Sequence, residues 1–217
     1  MEFWAFMLDR QDEILASLMR HIWLTGIAVA LATIVGTSIG TLMTRADTLA
    51  APVLGIASII QTVPSIALLG LMIPLFGIGV TPAIVALFLY TLLPILRNTY
   101  TGIREVDPAL TEAAVGMGMT NRQLLLFVQL PLAVPIIMAG IRTATVISVG
   151  IATLAAPIGA GGLGDQIFQG IATVNNNLIF AGALPAALLA LALDGMLGLL
   201  EKWLSPGHAG RAQEAAA

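Results

Sequence analysis

Between Asp47 and Arg97 the chain carries no charged side chain at all, and from Ile22 to Met43 it carries none either. Uncharged stretches of this length cannot form the surface of a water-soluble globule, whose exterior needs ionic groups, whereas a hydrocarbon core of about 30 Å demands roughly 20 such residues per helical crossing. With 58% hydrophobic and 10% charged residues the chain belongs in lipid. The expected fold class is all-α, a polytopic membrane protein of about five transmembrane helices, with spans at about 22–43, 49–76, 83–100, 132–156 and 178–200. Residues 1–20 mix Phe3, Phe6, Ile14 and Leu18 with Glu2, Asp9, Asp12 and Glu13, which predicts an amphipathic interfacial segment. Residues 21–204 are the membrane domain, and 205–217, small and polar, read as a flexible tail. No basic stretch precedes an apolar one at the N-terminus, so insertion is expected to rely on the helices themselves.

Within the spans three features stand out. Gly36 and Gly40 form a small-xxx-small pair that offers one face of the first span for close packing. The second span is interrupted at Gln61-Thr-Val-Pro-Ser65, where Pro64 removes a donor and predicts a kink or break. Gln61, Thr62, Pro64 and Ser65 are therefore candidates to line a solute path, with plain interhelical hydrogen bonding as the alternative. Arg142 and Asp194 are the ionisable residues inside the predicted spans, at similar depth, and are expected to form an ion pair or shared network; a proton relay is the functional rival.

The largest aqueous loop is expected to open near Arg97 and run to Pro131, with a coupling segment at 101–131. Asp107-Pro108 has the form of a helix cap followed by proline, and Thr120-Asn-Arg-Gln123 has the spacing of a capping box. Two short helices joined at Gly116-Met-Gly118 follow, the second ending at Leu130-Pro131 before the fourth span. Arg45, Arg97, Arg104, Arg122, Lys202 and Arg211 fall on alternate connections, while the loops after the second and fourth spans have no base. The positive-inside rule then predicts the N-terminus outside and the C-terminus cytoplasmic, with four nearby acids offsetting Arg10 and Arg20.

Several chemistries are excluded. Gly159-Ala-Gly-Gly-Leu-Gly164 matches a dinucleotide fingerprint in letters only, because it lies between two membrane spans and not in a βαβ unit; it reads as a close-packed external turn with Asp165 capping a short helix. The one lysine, Lys202, lies in no phosphate-binding loop. His21 and His208 lie on opposite sides of the membrane, and the chain has no cysteine, so no metal site and no catalytic residue is expected. The acidic balance gives no reason to expect nucleic acid as a partner.

Glu112-Ala-Ala-Val-Gly-Met-Gly118 followed by Val128-Gln-Leu-Pro131 resembles the cytoplasmic EAA signature of bacterial ABC importer permeases. Gln61 to Gly70, Pro74 to Gly79, Leu93-Pro-Ile-Leu-Arg-Asn-Thr-Tyr-Thr-Gly-Ile103 and Gly159 to Asp165 resemble the osmoprotectant branch, which takes up glycine betaine, carnitine and choline. The resemblance implies a type I importer permease (MetI-like) fold in the bacterial inner membrane. It further implies a solute path coupled to separate cytoplasmic ATPase subunits that bind ATP and Mg, a second permease subunit that is a copy or a paralogue, and an extracytoplasmic solute-binding protein. Glu112, Ala113, Ala114, Gly118, Leu130 and Pro131 would carry the coupling. Methionine-type permeases share the length and the EAA pattern, so an amino-acid importer is the alternative, and a non-transporting membrane scaffold is a second. Aromatic residues are 6% of the chain, too few for a quaternary-ammonium cage in the path, so affinity is expected to reside in the binding protein.

Overall fold

The computed structural model describes residues 2–205, and every regular element among them is helical. The predicted tail beyond Ser205, with His208 and Arg211, lies outside the described residues. In chain order the helices are α1 (Glu2–Asp9), α2 (Gln11–Met43), α3 (Asp47–Thr62), α4 (Ser65–Phe76), α5 (Val80–Arg104), α6 (Pro108–Gly116), α7 (Asn121–Leu124), α8 (Leu130–Thr153), α9 (Gly164–Ala172) and α10 (Asn176–Leu204). A π-helical turn, Leu125–Gln129, joins α7 to α8. Four helical stretches are long and apolar enough to cross a membrane, and the α3–α4 pair makes a fifth if its two halves form one span.

Helix α5 is the centre of the bundle. It is flanked by α2 on one side and α8 on another, and glycines set both approaches. A methyl group on Gly36 would lie 2.8 Å from Ile95 Cγ2, one on Gly40 2.7 Å from Thr99 Cβ, and one on Gly140 2.6 Å from Asn98 Cβ. Lipid provides no hydrophobic drive between helices, so this backbone proximity supplies the attraction through dispersion. Leu93 and Leu96 of α5 join Met43, Ala50 and Ala57 in one core; Leu87, Leu69 and Leu24 belong to another at the opposite end.

Four boundaries differ from the sequence expectation. The amphipathic segment ends at Asp9 and not at residue 20, because Gln11 to Arg20 continue α2; a 33-residue helix is roughly 50 Å long at about 1.5 Å per residue, so its first turns project beyond the hydrocarbon. Helix α5 begins at Val80 and runs to Arg104, four residues past the expected end at 100, so that Arg97, also read as the mouth of the loop, lies well inside the helix. The α7 helix does not end at Pro131 but passes into α8. Pro131 and Pro135 withdraw two amide donors, and the helix absorbs this by widening: Leu130 N–H bonds to the Leu125 carbonyl five residues back. Asp165 does not cap α9, which begins at Gly164 without a side-chain cap.

The break at Pro64 is a bend of 101° between α3 and α4. Tyr90 of α5 donates its hydroxyl to the Val63 carbonyl left free at the break. In return Gln61 Nε2 donates at 2.8 Å to the Tyr90 carbonyl, which has no i+4 amide because Pro94 occupies that position. Two prolines on different helices thus expose carbonyls that the other helix satisfies. Replacing Tyr90 by Phe should lower stability by about 1 kcal/mol, the net value of one such hydrogen bond; the thermal midpoint of the detergent-solubilised protein measures it, and an unchanged midpoint would show that the bend holds without Tyr90.

Candidate functional site

The two ends of the bundle are chemically distinct. At one end Arg104 Nη1 contacts both Asp47 carboxylate oxygens at 2.7 and 2.8 Å, and Arg45 Nη2 donates to the Asn121 carbonyl at 2.8 Å and to Gln129 Oε1 at 3.4 Å. These contacts tie the α2–α3 corner to the end of α5 and to the start of the α7–α8 rod. At the other end Gly79 N–H donates to the Ile158 carbonyl at 2.8 Å, Arg20 Nε to the Ala160 carbonyl at 3.1 Å, and Gln166 Nε2 to Ser17 Oγ at 2.7 Å. His21 is fully buried there, with Nε2 donating to the Val149 carbonyl at 3.1 Å. Burial pushes the Asp165 carboxyl above its usual range, and the nearby Arg20 charge opposes that shift. Because α3 starts at the first end and α4 leads to Gly79 at the second, the bent pair runs from one end to the other.

Residues 107–131 stand at the first end. Asp107 Oδ1 accepts from Ala109 N–H at 2.9 Å and Pro108 fills the first helical position, so α6 starts where a missing amide costs nothing. It ends in a Schellman motif: Met119 N–H bonds to the Ala114 carbonyl at 3.1 Å and Gly118 N–H to Val115 at 2.9 Å, with Gly118 at φ +86°. A left-handed residue is required there, which is why the position is glycine. Thr120 and Gln123 then form a complete capping box for α7.

Of the predicted coupling residues, Glu112 and Ala113 are exposed on α6, Ala114 is buried at 2% exposure, and Gly118 makes the exit turn. Leu130 and Pro131 sit half-buried where the π turn becomes α8. Glu112, Val115 and Gly116 border an open cleft of about 500 Å³ whose other wall is Leu124 and Gln129. Around it Leu110, Val115, Met117, Leu126 and Phe127 are exposed, Met117 at 73% and Phe127 at 69%. The segment therefore combines an open cleft with a contiguous exposed apolar patch, on short helices with capped ends.

The predicted path residues divide. Gln61 is committed to Tyr90, Thr62 returns its hydroxyl to the Ile59 carbonyl at 2.7 Å, and Pro64 and Ser65 begin α4. Arg142 and Asp194 meet as a fork: Nε to Oδ1 and Nη2 to Oδ2, each 2.9 Å. Glu201 adds a third bond, Oε2 accepting from Arg142 Nη1 at 2.9 Å, a partner absent from the sequence expectation. Gly198 lies under the guanidinium, where a methyl would come within 3.3 Å of Arg142 Cζ. Three of the five guanidinium N–H groups are thus directed at carboxylate oxygens, one from each nitrogen, a planar fork that lysine could not reproduce. No group of His, Cys, Asp and Glu able to hold a metal ion occurs among the described residues.

An all-helical bundle with up to five crossings, a broken span and ionic groups held within it defines a polytopic membrane protein. The chain belongs to the family of binding-protein-dependent transport system inner membrane components, which it matches over residues 28–206. It is 48% identical to the osmoprotectant import permease protein OsmW of Salmonella typhimurium, over 93% of this chain and 96% of that one. It is 47% identical to the choline transport system permease protein OpuBB of Bacillus subtilis, over 96% of each chain. It is 46% identical to the carnitine transport permease protein OpuCB of Listeria monocytogenes, over 97% of this chain and 96% of the other. In fold it resembles a chain of the MetNI methionine ABC transporter in an inward-facing conformation, at a TM-score of 0.80, 24% identity, and coverage of 88% of this chain and 96% of that one. The protein is a multi-pass inner-membrane ABC importer permease.

Proposed function

We propose that this chain forms the translocation path of an ATP-driven importer for quaternary ammonium osmoprotectants: glycine betaine, carnitine and choline. The observation that carries this reading is the near-full-length similarity to permeases for these solutes at 46–48% identity. The likeness to the methionine transporter, at 24% identity, speaks to fold alone and gives the amino-acid alternative no separate support.

In this reading two permease subunits pair, a solute-binding protein docks at the end formed by Gly79, Ile158 and Ala160, and two ATPase subunits receive α6 and α7 in their clefts. ATP and Mg belong to those ATPases. Arg45, Arg104 and Arg122 cluster at the coupling end, which supports a cytoplasmic face there and an N-terminus outside. Helix α6 transmits through the π turn and Pro131 into α8, so approach of the two ATPases rocks the permeases between inward-open and outward-open states. Glu112 supplies charge to the docking partner, and Ala113 and Ala114 keep the helix slender enough to enter a groove.

The importer reconstituted in proteoliposomes with its ATPase and binding protein should take up labelled glycine betaine, carnitine or choline on addition of ATP. Methionine uptake with none of the three would overturn the solute class; no ATP-dependent uptake of any solute would overturn the transport role.

A further inference from the structure

Arg97 has no place in the functions assigned above. It lies on α5 seven residues before Arg104, roughly 10 Å into the span at about 1.5 Å per residue. It is exposed, and it has no hydrogen bond or ion pair to any described residue. The neighbours of α5 fix the direction in which Arg97 projects. Ile95 and Thr99 face α2, Asn98 and Gly102 face α8, and Leu93 and Leu96 face α3. Arg97 occupies the sector left between α3 and α8, on the side away from α2.

Helix α8 is open on the same side. Gly140 and Ile136 meet α5, Val149 meets His21 of α2, and Arg142 reaches α10, leaving Ala139, Thr143, Val146 and Gly150 exposed. A cavity of about 460 Å³ lies here, lined by Ala139, Arg142, Thr143, Val146, Ile147 and Asp194. Gly140 touches Asn98, so Arg97 and Arg142 lie at neighbouring levels. This face therefore bears an unpaired guanidinium on α5 and, toward α10, one guanidinium between two carboxylates, a cluster with one net negative charge. An unpaired arginine and a net-charged cluster at span depth are not left facing acyl chains; such groups face protein or a water-filled cavity.

We infer that this face is the wall of the aqueous path and that Arg97 is a solute-contact residue selecting zwitterions that join a quaternary ammonium to a carboxylate. The carboxylate pairs with Arg97, whose charge-assisted donors are free. The ammonium end is drawn to the negative Arg142–Asp194–Glu201 cluster, which a quaternary nitrogen can approach but cannot hydrogen-bond. A cation without a carboxylate gains only the second interaction and meets the positive charge of Arg97 uncompensated. The contact is a passing one and sorts solutes by rate, leaving capture to the binding protein. It rests on the quaternary-ammonium reading above and narrows it.

The test uses the complete importer in proteoliposomes. Arg97→Gln should lower the initial rate of glycine betaine uptake at least tenfold while choline uptake holds or rises, and Arg97→Lys should keep a third or more of the betaine rate. Equal loss for both solutes, or no loss for either, overturns the selection. A second measurement does not depend on the solute. The chain has no cysteine, so Arg97→Cys and Thr143→Cys in the assembled importer should react with a membrane-impermeant thiol reagent, and Ile34→Cys on the outer face of α2 should not. Unreactive Arg97→Cys and Thr143→Cys overturn the aqueous wall. An importer that moves no quaternary ammonium solute while both cysteines react overturns the solute class, and the selection with it, but not the wall.

Discussion

Gly118→Val should abolish ATP-dependent uptake, at least tenfold below the native rate, while the protein still inserts and accumulates. Gly118 closes α6 at φ +86° with both Schellman hydrogen bonds in place. A β-branched residue is strained in the left-handed region by roughly 1–2 kcal/mol, so the chain unwinds the last turn of α6 in preference to adopting that geometry. The lost turn carries Val115 and the exit to Thr120, and the cleft beside Glu112 loses a wall. The effect on folding is small because the element stands outside the helical core; the effect on coupling is large because the docking surface is defined by that turn. ATPase copurification and uptake in parallel measure it: both should fall. Normal uptake by Gly118→Val would remove the coupling role from this segment. Gly118→Asn, which tolerates the left-handed region, should retain most of the activity.

Arg142→Ala should be the most damaging single substitution within the spans. It leaves Asp194 and Glu201 with like charge, two turns apart on one helix face and stripped of their shared partner. We expect the thermal midpoint of the solubilised complex to fall by at least ~5 °C, with reduced accumulation in the membrane. Arg142→Lys should rescue little, because an ammonium cannot reproduce the fork. Asp194→Asn should be milder than Arg142→Ala, since Glu201 still holds the guanidinium. If Asp194→Asn proves as damaging as Arg142→Ala, Glu201 contributes nothing to the network and the triad reduces to a pair.

The ranking depends on Glu201, and its absence from the sequence expectation is instructive. A span ending at residue 200 stops one residue short of it. Asp194 and Glu201 are seven apart, which is two helical turns, so the spacing that brings both to one guanidinium was visible once the helix was allowed to run on. The caps of the coupling segment were legible because Asp107-Pro108 and Thr120-Gln123 act within a few residues. The seam between α7 and α8 was not, because Pro131 and Pro135 read as a stop wherever a widened turn is not considered. Pro64 announced a break but not its angle. The bend is held by Tyr90, 26 residues further on in another helix, and such a partner leaves no local trace. Arg97 fell both inside the expected span at 83–100 and at the mouth of the expected loop, because charge after an apolar run usually marks a boundary; the continuation of α5 to Arg104 decides for the span.

The uninterrupted rod from Asn121 to Thr153 has a mechanical consequence. Its 33 residues extend roughly 50 Å, and Gly140, pressed against Asn98 and the Pro94 carbonyl, is where it bears on α5. A tilt of about 5° about that point moves Val149 and the Thr153 tip by roughly 1–2 Å, enough to take the His21–Val149 hydrogen bond out of range and to pull on the Gly79–Ile158 turn that follows the tip. The wide turn at Leu125–Gln129 lies on the α6 side of that bearing, which under the proposed coupling is the side where the ATPases push. Under that coupling the helix would work as an oar in its rowlock: a small angular displacement of the handle would reach the blade as a change of seal.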